Sequence, residues 1–155
     1  MWSAKALKRF KERIQQITGR SRGVSIRQLL TELRRYAVGW MHYFGLSQAY
    51  RVIPALDQWV RRRVRRYYWK PWERARTRRR QLLRLGLHRM EVCKATRAHR
   101  GCGFMAGTSI VQRALDNQWL REQGVPSLRQ RWIEMHYGQQ NEQFNPQAVN
   151  LTGIA

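Results

Sequence analysis

At 155 residues the chain is one domain, or one domain with an annex. Its 43% hydrophobic content, including 7 Trp, 6 Tyr and 4 Phe, is enough to bury a core. A net charge of +22 points to a polyanionic partner, with a membrane surface the weaker choice: no run of about 18 apolar residues exists to span a bilayer, and no leader with an apolar stretch opens the chain.

Ser3 caps a predicted first helix over 4–18. Leu7, Phe10, Ile14 and Ile17 form its buried seam, and Lys5, Lys8, Arg9, Lys11 and Arg13 its wet side. The basic, Gly-flanked segment Thr18 to Gly23 follows, carrying Arg20 and Arg22. It reads first as a helix stop and turn, and second as a place where freed amides hold a phosphate. Ser25 caps a second helix, whose residues Ile26, Leu29, Leu30, Leu33, Ala37, Trp40 and Phe44 keep 3-4 spacing. Gly39 interrupts it at about 1 kcal/mol relative to Ala, so another helix is expected to approach there, or the helix to bend.

A third helix begins near Pro54 and carries Ile53, Leu56, Val60, Val64 and Tyr67 along one apolar face. Arg61, Arg62, Arg65 and Arg66 are expected on its other sides, a rail of guanidinium groups that includes Arg63 and ends in Tyr67, Tyr68, Trp69 and Trp72. Pro71 should kink or end this helix at Lys70. A further helix over 73–85, closed by Gly86, extends the rail with Arg74, Arg76, Arg78, Arg79 and Arg80. From residue 61 to 80 there are eleven bases and one acid. Self-repulsion on that scale points to a bound anion rather than an ordinary solvated face. Trp40 and Trp59 are read as core, and Trp69 and Trp72 as divided between core and nucleic-acid contact.

Beyond this, residues 89–98 read as a short helix and 99–107 as a loop with three glycines. Ser109 caps a helix to about Gln123, stopped by Gly124. Pro126 and Ser127 start a last helix to about Tyr137, burying Leu128, Trp132 and Met135. No segment alternates with period two long enough to be a strand. The fold class is therefore all-α: a helical bundle over 1–86, a smaller helical extension over 87–137 and a flexible tail over 138–155.

The charge is as uneven as the helices. Residues 1–100 hold 27 Lys and Arg against Glu12, Glu32, Asp57, Glu73 and Glu91, whereas 101–155 hold four bases and four acids. The binding surface is expected in the first two-thirds. Only five of the 31 bases are Lys. Arg stays charged at any working pH and its planar fork fits phosphate, while neighbouring aromatics suit exposed bases. Candidate nucleic-acid contacts are thus Arg20, Arg22, Arg61, Arg62, Arg63, Arg65, Arg66, Lys70, Arg74, Arg76, Arg78, Arg79, Arg80, Trp69 and Trp72.

Catalytic signals are missing. Two-metal chemistry needs clustered carboxylates, and the two aspartates, Asp57 and Asp116, lie far apart on different predicted helices; Asp57 reads as an ion pair or a cap. Cys93, His99 and Cys102 with His88 do not match a common zinc spacing. No metal or other cofactor is assigned. His42 reads as a packing or RNA-facing residue. Two cysteines cannot form a disulfide framework, and they point to a reducing cytoplasm.

Gly39-Trp40-Met41-His42-Tyr43-Phe44 and Leu56-Asp57-Gln58-Trp59-Val60-Arg61-Arg62-Arg63 resemble the C-terminal part of group II intron-encoded reverse transcriptase/maturases. Leu33, Arg65, Trp69-Lys70-Pro71-Trp72, Thr77-Arg78 and Leu85-Gly86 continue the resemblance. It is dense over 4–86 and thinner to about 137. It implies the α-helical thumb, also called domain X or the maturase-specific domain, which follows the fingers and palm and grips intron RNA and the template–primer duplex. The family's fingers, palm and Tyr-x-Asp-Asp motif have no counterpart in this sequence, nor does its His/Cys nuclease. The implied partner is group II intron RNA, with a separate fingers-and-palm chain left open as a second. The implied location is the cytoplasm, on the nucleoid or a ribonucleoprotein. A general basic nucleic-acid-binding module and an inactive truncated remnant are the alternatives.

Overall fold

A computed structural model describes residues 3–19, 21–46, 50–97 and 100–142, and every regular element among them is helical. The first, α1 (Ala4–Ile17), starts where Ser3 Oγ accepts the Ala6 amide at 3.1 Å, satisfying a donor that a helix start leaves unpaired. It buries Phe10, Ile14 and Ile17. Ser25 plays the same part for α2 (Ile26–Phe44), taking the Gln28 amide at 3.3 Å. Met41 joins Leu29, Leu33, Ala37 and Trp40 on its buried side, though it stands outside the expected seam.

The close approach expected at Gly39 occurs at Gly45 instead. A Cβ on Gly39 would meet nothing within 4 Å, whereas one on Gly45 would collide with the Met41 carbonyl and come within 3.1 Å of Met135 Sδ. His136 Nε2 lies 2.7 Å from the Gly45 carbonyl, so the last helix packs directly on this turn.

After a 3₁₀ turn at Tyr50–Val52 comes α3 (Ile53–Trp69), with Pro54 in its first turn. It stops at Trp69, just ahead of Pro71, and the Trp72 amide turns back to the Trp69 carbonyl at 3.0 Å. The next helix, α4 (Ala75–Arg84), begins two residues later than expected. Arg74 is extended at φ −75°, ψ 131°, and Arg78 reaches back to the carbonyls of Trp72 and Glu73 at 3.0 and 3.3 Å. Gly86, at φ 84°, closes α4, with Leu87 N–H donating to Leu82 O, the left-handed stop that glycine makes without strain.

Four short helices follow: α5 (Arg89–Arg97), α6 (Cys102–Met105), α7 (Ser109–Ala114) and α8 (Asn117–Glu122). Two departures from expectation fall here. The glycine-rich segment contains a helical turn, α6. The helix expected over 109–123 is two helices, broken at Leu115 (φ −112°, ψ 63°). Asp116 Oδ1 accepts the Trp119 amide at 2.7 Å and starts α8 afresh; aspartate favours a cap over a helix interior. The last helix, α9 (Leu128–Glu142), runs five residues into the segment expected as tail. The rest of that segment, 143–155, lies outside the described residues.

Two hydrophobic clusters organise these elements. The first joins Phe10 and Ile14, Leu29 and Leu33, Leu56, Val60 and Val64 to Leu120, Leu128 and Trp132. The second joins Trp69 and Leu82 to Val92, Met105, Val111 and Leu115. Tyr68 and Trp119 border both and meet edge to face, 4.9 Å between centroids. Both clusters draw residues from either side of residue 86. Among the described residues no helix is long and apolar enough to cross a membrane.

Candidate nucleic-acid interface

α3 is covered on two sides, and this decides what its arginines do. One stripe, Ile53, Leu56, Val60 and Val64, enters the first cluster. A second, Asp57, Arg61 and Arg65, repeats every four residues, which places it along one side of the helix. It faces the C-terminal helices rather than solvent. Arg65 is 6% exposed; its Nε donates to Leu115 O at 2.8 Å and Nη2 to Asn117 Oδ1 at 3.0 Å. The break between α7 and α8 supplies that acceptor. The expectation that Arg65 stands off the buried stripe is thus corrected.

Asp57 does both jobs read from the sequence. Its Oδ2 pairs with Arg61 Nη2 at 2.6 Å, and its Oδ1 accepts the Leu128 amide at 2.9 Å, capping α9 from another helix. Burial pushes its carboxyl above the ordinary aspartate range, against the pull of Arg61 and the Leu128 amide. Arg61 also donates to Ser127 Oγ at 3.1 Å. Burial likewise lowers the proton affinity of Arg65 and Arg63.

The remaining rail arginines differ in exposure. Arg63 is half-buried, donates to Thr18 Oγ1 at 3.0 Å and Gln15 O at 3.4 Å, and lies over the Trp59 ring at 5.9 Å. Arg62 is exposed; it reaches Gly103 O at 3.3 Å and rests against Gly107. Arg66 is half-buried, with a buried Nε that has no acceptor among the described residues. Arg61, Arg62 and Arg65 come together with Trp59, Asp57 and Asp116 around a groove of about 620 Å³. The two aspartates share this groove although they are 59 positions apart in sequence, and the arginines line it with them.

Trp69 is core, 2% exposed. Arg78 lies over its ring at 5.2 Å, and Trp72, half-buried, tilts against it at 5.4 Å. Arg78 thus spends its guanidinium on the turn it closes. Lys70 lines a groove of about 450 Å³ with Tyr67, Pro71 and Arg74. By contrast Arg74, Arg76, Arg79 and Arg80 are exposed, and none has a carboxylate partner among the described residues. Arg76, Arg79 and Arg80 border a shallow depression of about 410 Å³. Arg84 and Arg89 continue this exposed charge; neither is among the contacts expected from the sequence.

In the first loop, Arg22 is committed to structure. It donates to Ile17 O at 3.0 Å and pairs with Glu32 at 2.8 Å, a hydrogen bond that holds the Glu32 carboxyl below its usual range. Arg20 lies outside the described residues. Lys5, Lys8, Arg9 and Lys11 on α1, and Arg27, Arg34 and Arg35 on α2, are exposed and missing from the sequence list of contacts. His42 is also exposed. Cys93 and Cys102 are both half-buried. No three His, Cys, Asp or Glu side chains among the described residues gather where a metal could sit; His99 lies outside them.

The family profile of the group II intron, maturase-specific domain matches residues 7–86, more than half of the 155-residue chain. The chain belongs to this family. No curated protein matches it. The span of the maturase-specific domain takes in α1 to α4, and with them both the arginines committed to α3's packing and the exposed arginines of α4. Helices α5 to α9, which supply the partners of Asp57 and Arg65, lie beyond it.

Proposed function

We propose that this maturase-specific domain binds group II intron RNA and favours its active fold, leaving the chemistry of splicing to the RNA. One observation carries the reading: within the family span, Arg74 at the cap of α4 and Arg76, Arg79 and Arg80 on it face solvent with no carboxylate to neutralise them among the described residues. Such cations bind phosphates and release the counterions condensed on them. The cations of α1 and of α2 add to the same field. Asp57 and Asp116, the aspartates of the chain, each cap a helix, which supports a binding role over a polymerase role for this chain.

Titrating a structured intron RNA at several salt concentrations tests the reading. Affinity is expected to fall by roughly one power of salt for each phosphate neutralised, and intron RNA to bind more tightly than an unrelated RNA of equal length. A flat salt dependence overturns RNA binding. Equal affinity for the two RNAs leaves a general basic binder and removes the intron link.

A further inference from the structure

We infer that the groove between α1 and α2, floored by Gly39, seats one sugar–phosphate strand of RNA, with a ribose against the Gly39 Cα and the flanking phosphates on Arg13 and Arg35. The inference rests on the RNA-binding reading above.

No neighbour among the described residues requires a glycine at position 39. It lies within the 19-residue α2, where glycine is among the least favourable residues. Its φ is not among the positive values that favour glycine. It is exposed, and a Cβ built on it would meet nothing within 4 Å. What the missing side chain preserves is space, and that space is the floor of a groove of about 490 Å³.

The chemistry of the walls selects the occupant. Arg13 lines one side and Arg35 the other; Arg13 donates to the neutral Gln16 Oε1 at 3.0 Å and has no ion pair within salt-bridge distance among the described residues. Glu32, the carboxylate of the lining, is neutralised by Arg22 at 2.8 Å. Tyr36 and Trp40 complete the wall, with Tyr36 stacked on Phe10 at 5.7 Å. A cationic trough with an aromatic flank and a side-chain-free floor suits a backbone that carries a phosphate on each side of a sugar. Arginine forks bind the phosphates, and the Tyr36 hydroxyl can serve a ribose 2′-OH.

The test compares Gly39→Ala with Gly138→Ala in the full chain. Gly138 lies in α9 and is equally open, with nothing within 4 Å of an added Cβ. Melting is followed by circular dichroism and RNA affinity by fluorescence anisotropy at one salt concentration. Both variants are expected to melt about 2–5 °C higher, as helix propensity improves. Gly39→Ala is expected to weaken RNA binding by roughly tenfold, the effect of overfilling a tight contact, while Gly138→Ala binds as wild type. Arg35→Gln should weaken binding without altering melting. A Gly39→Ala protein that melts higher and binds RNA normally overturns the inference, as does one that melts lower, which would place the glycine's role inside the fold. If Gly39→Ala and Arg35→Gln weaken binding of an acidic peptide but not of RNA, the occupant is wrong. If the wild-type protein binds no RNA, the functional reading falls and this inference falls with it.

Discussion

Arg65 and Arg62 are three positions apart on one helix, yet they are different kinds of residue. The first is buried and makes two hydrogen bonds to groups on the far side of the chain, at 2.8 and 3.0 Å. The second is exposed, with one hydrogen bond among the described residues, to Gly103 O at 3.3 Å. Charged hydrogen bonds contribute about 1.5–3 kcal/mol each, and an acceptor left buried and unpaired adds a penalty. Arg65→Ala is therefore expected to cost about 3–5 kcal/mol of stability and Arg62→Ala less than about 1. Urea unfolding of both variants beside wild type measures the difference. Equal, small losses would mean that the Leu115 and Asn117 contacts contribute little and that Arg65 is as available to a ligand as Arg62. Gly45 makes the same point without charge: its lack of a side chain is used by Met41 and Met135.

At the scale of elements, α3 and α4 divide structure from exposed charge. The arginines of α3 mostly reach internal acceptors, whereas those of α4 mostly face solvent. The double variant Arg76→Glu/Arg80→Glu is expected to melt within about 2 °C of wild type, since surface changes seldom exceed roughly 0.5 kcal/mol. It should nevertheless lose RNA affinity by tenfold or more, because each change removes a phosphate contact and adds repulsion. Gel shift and thermal melting on the same preparations separate the two effects; normal binding would move the RNA to another face. The sequence made α1, α2, α3 and the end of α4 legible because their signals are local: Ser3 and Ser25 at the starts, 3-4 spacing along the faces, Pro71 after α3 and Gly86 after α4. It did not reveal the second buried stripe of α3. Arg61 and Arg65 read as a wet side because their partners, Ser127 and Leu115, are 66 and 50 positions away, and the Leu128 amide that Asp57 caps is 71 positions from it. The break at Leu115 was hidden for the same reason. Asp116 read as lying inside a continuous helix, because a carbonyl wanted by a distant arginine leaves no local mark.

For the molecule as a whole, the family span holds only part of each hydrophobic cluster. A fragment ending at residue 86 would lack Leu120, Val125, Leu128 and Trp132 from the first cluster. Four side chains of that size represent about 6–12 kcal/mol of transfer free energy, comparable with the roughly 5–15 kcal/mol that holds a whole domain together. It would also leave Asp57 without the Leu128 amide and Arg65 without either acceptor. Residues 1–86 alone are therefore expected to show helical circular dichroism without a cooperative thermal transition, where the full chain melts in one step; a sharp transition in the fragment would show that the family span folds alone. The carbonyl of Leu115 extends this to motion. Helices α7 and α8 have six residues each, far below the length at which isolated helices persist in water, so left to themselves they would open and close freely. Opening them here strands the Arg65 head beside an apolar gap. The amides of α8 should accordingly exchange with solvent in the same slow class as those of α3, and Arg65→Ala should release α8 into a faster class while the centre of α3 stays protected; hydrogen exchange followed by NMR on the two proteins would show whether the two helices keep one clock or two.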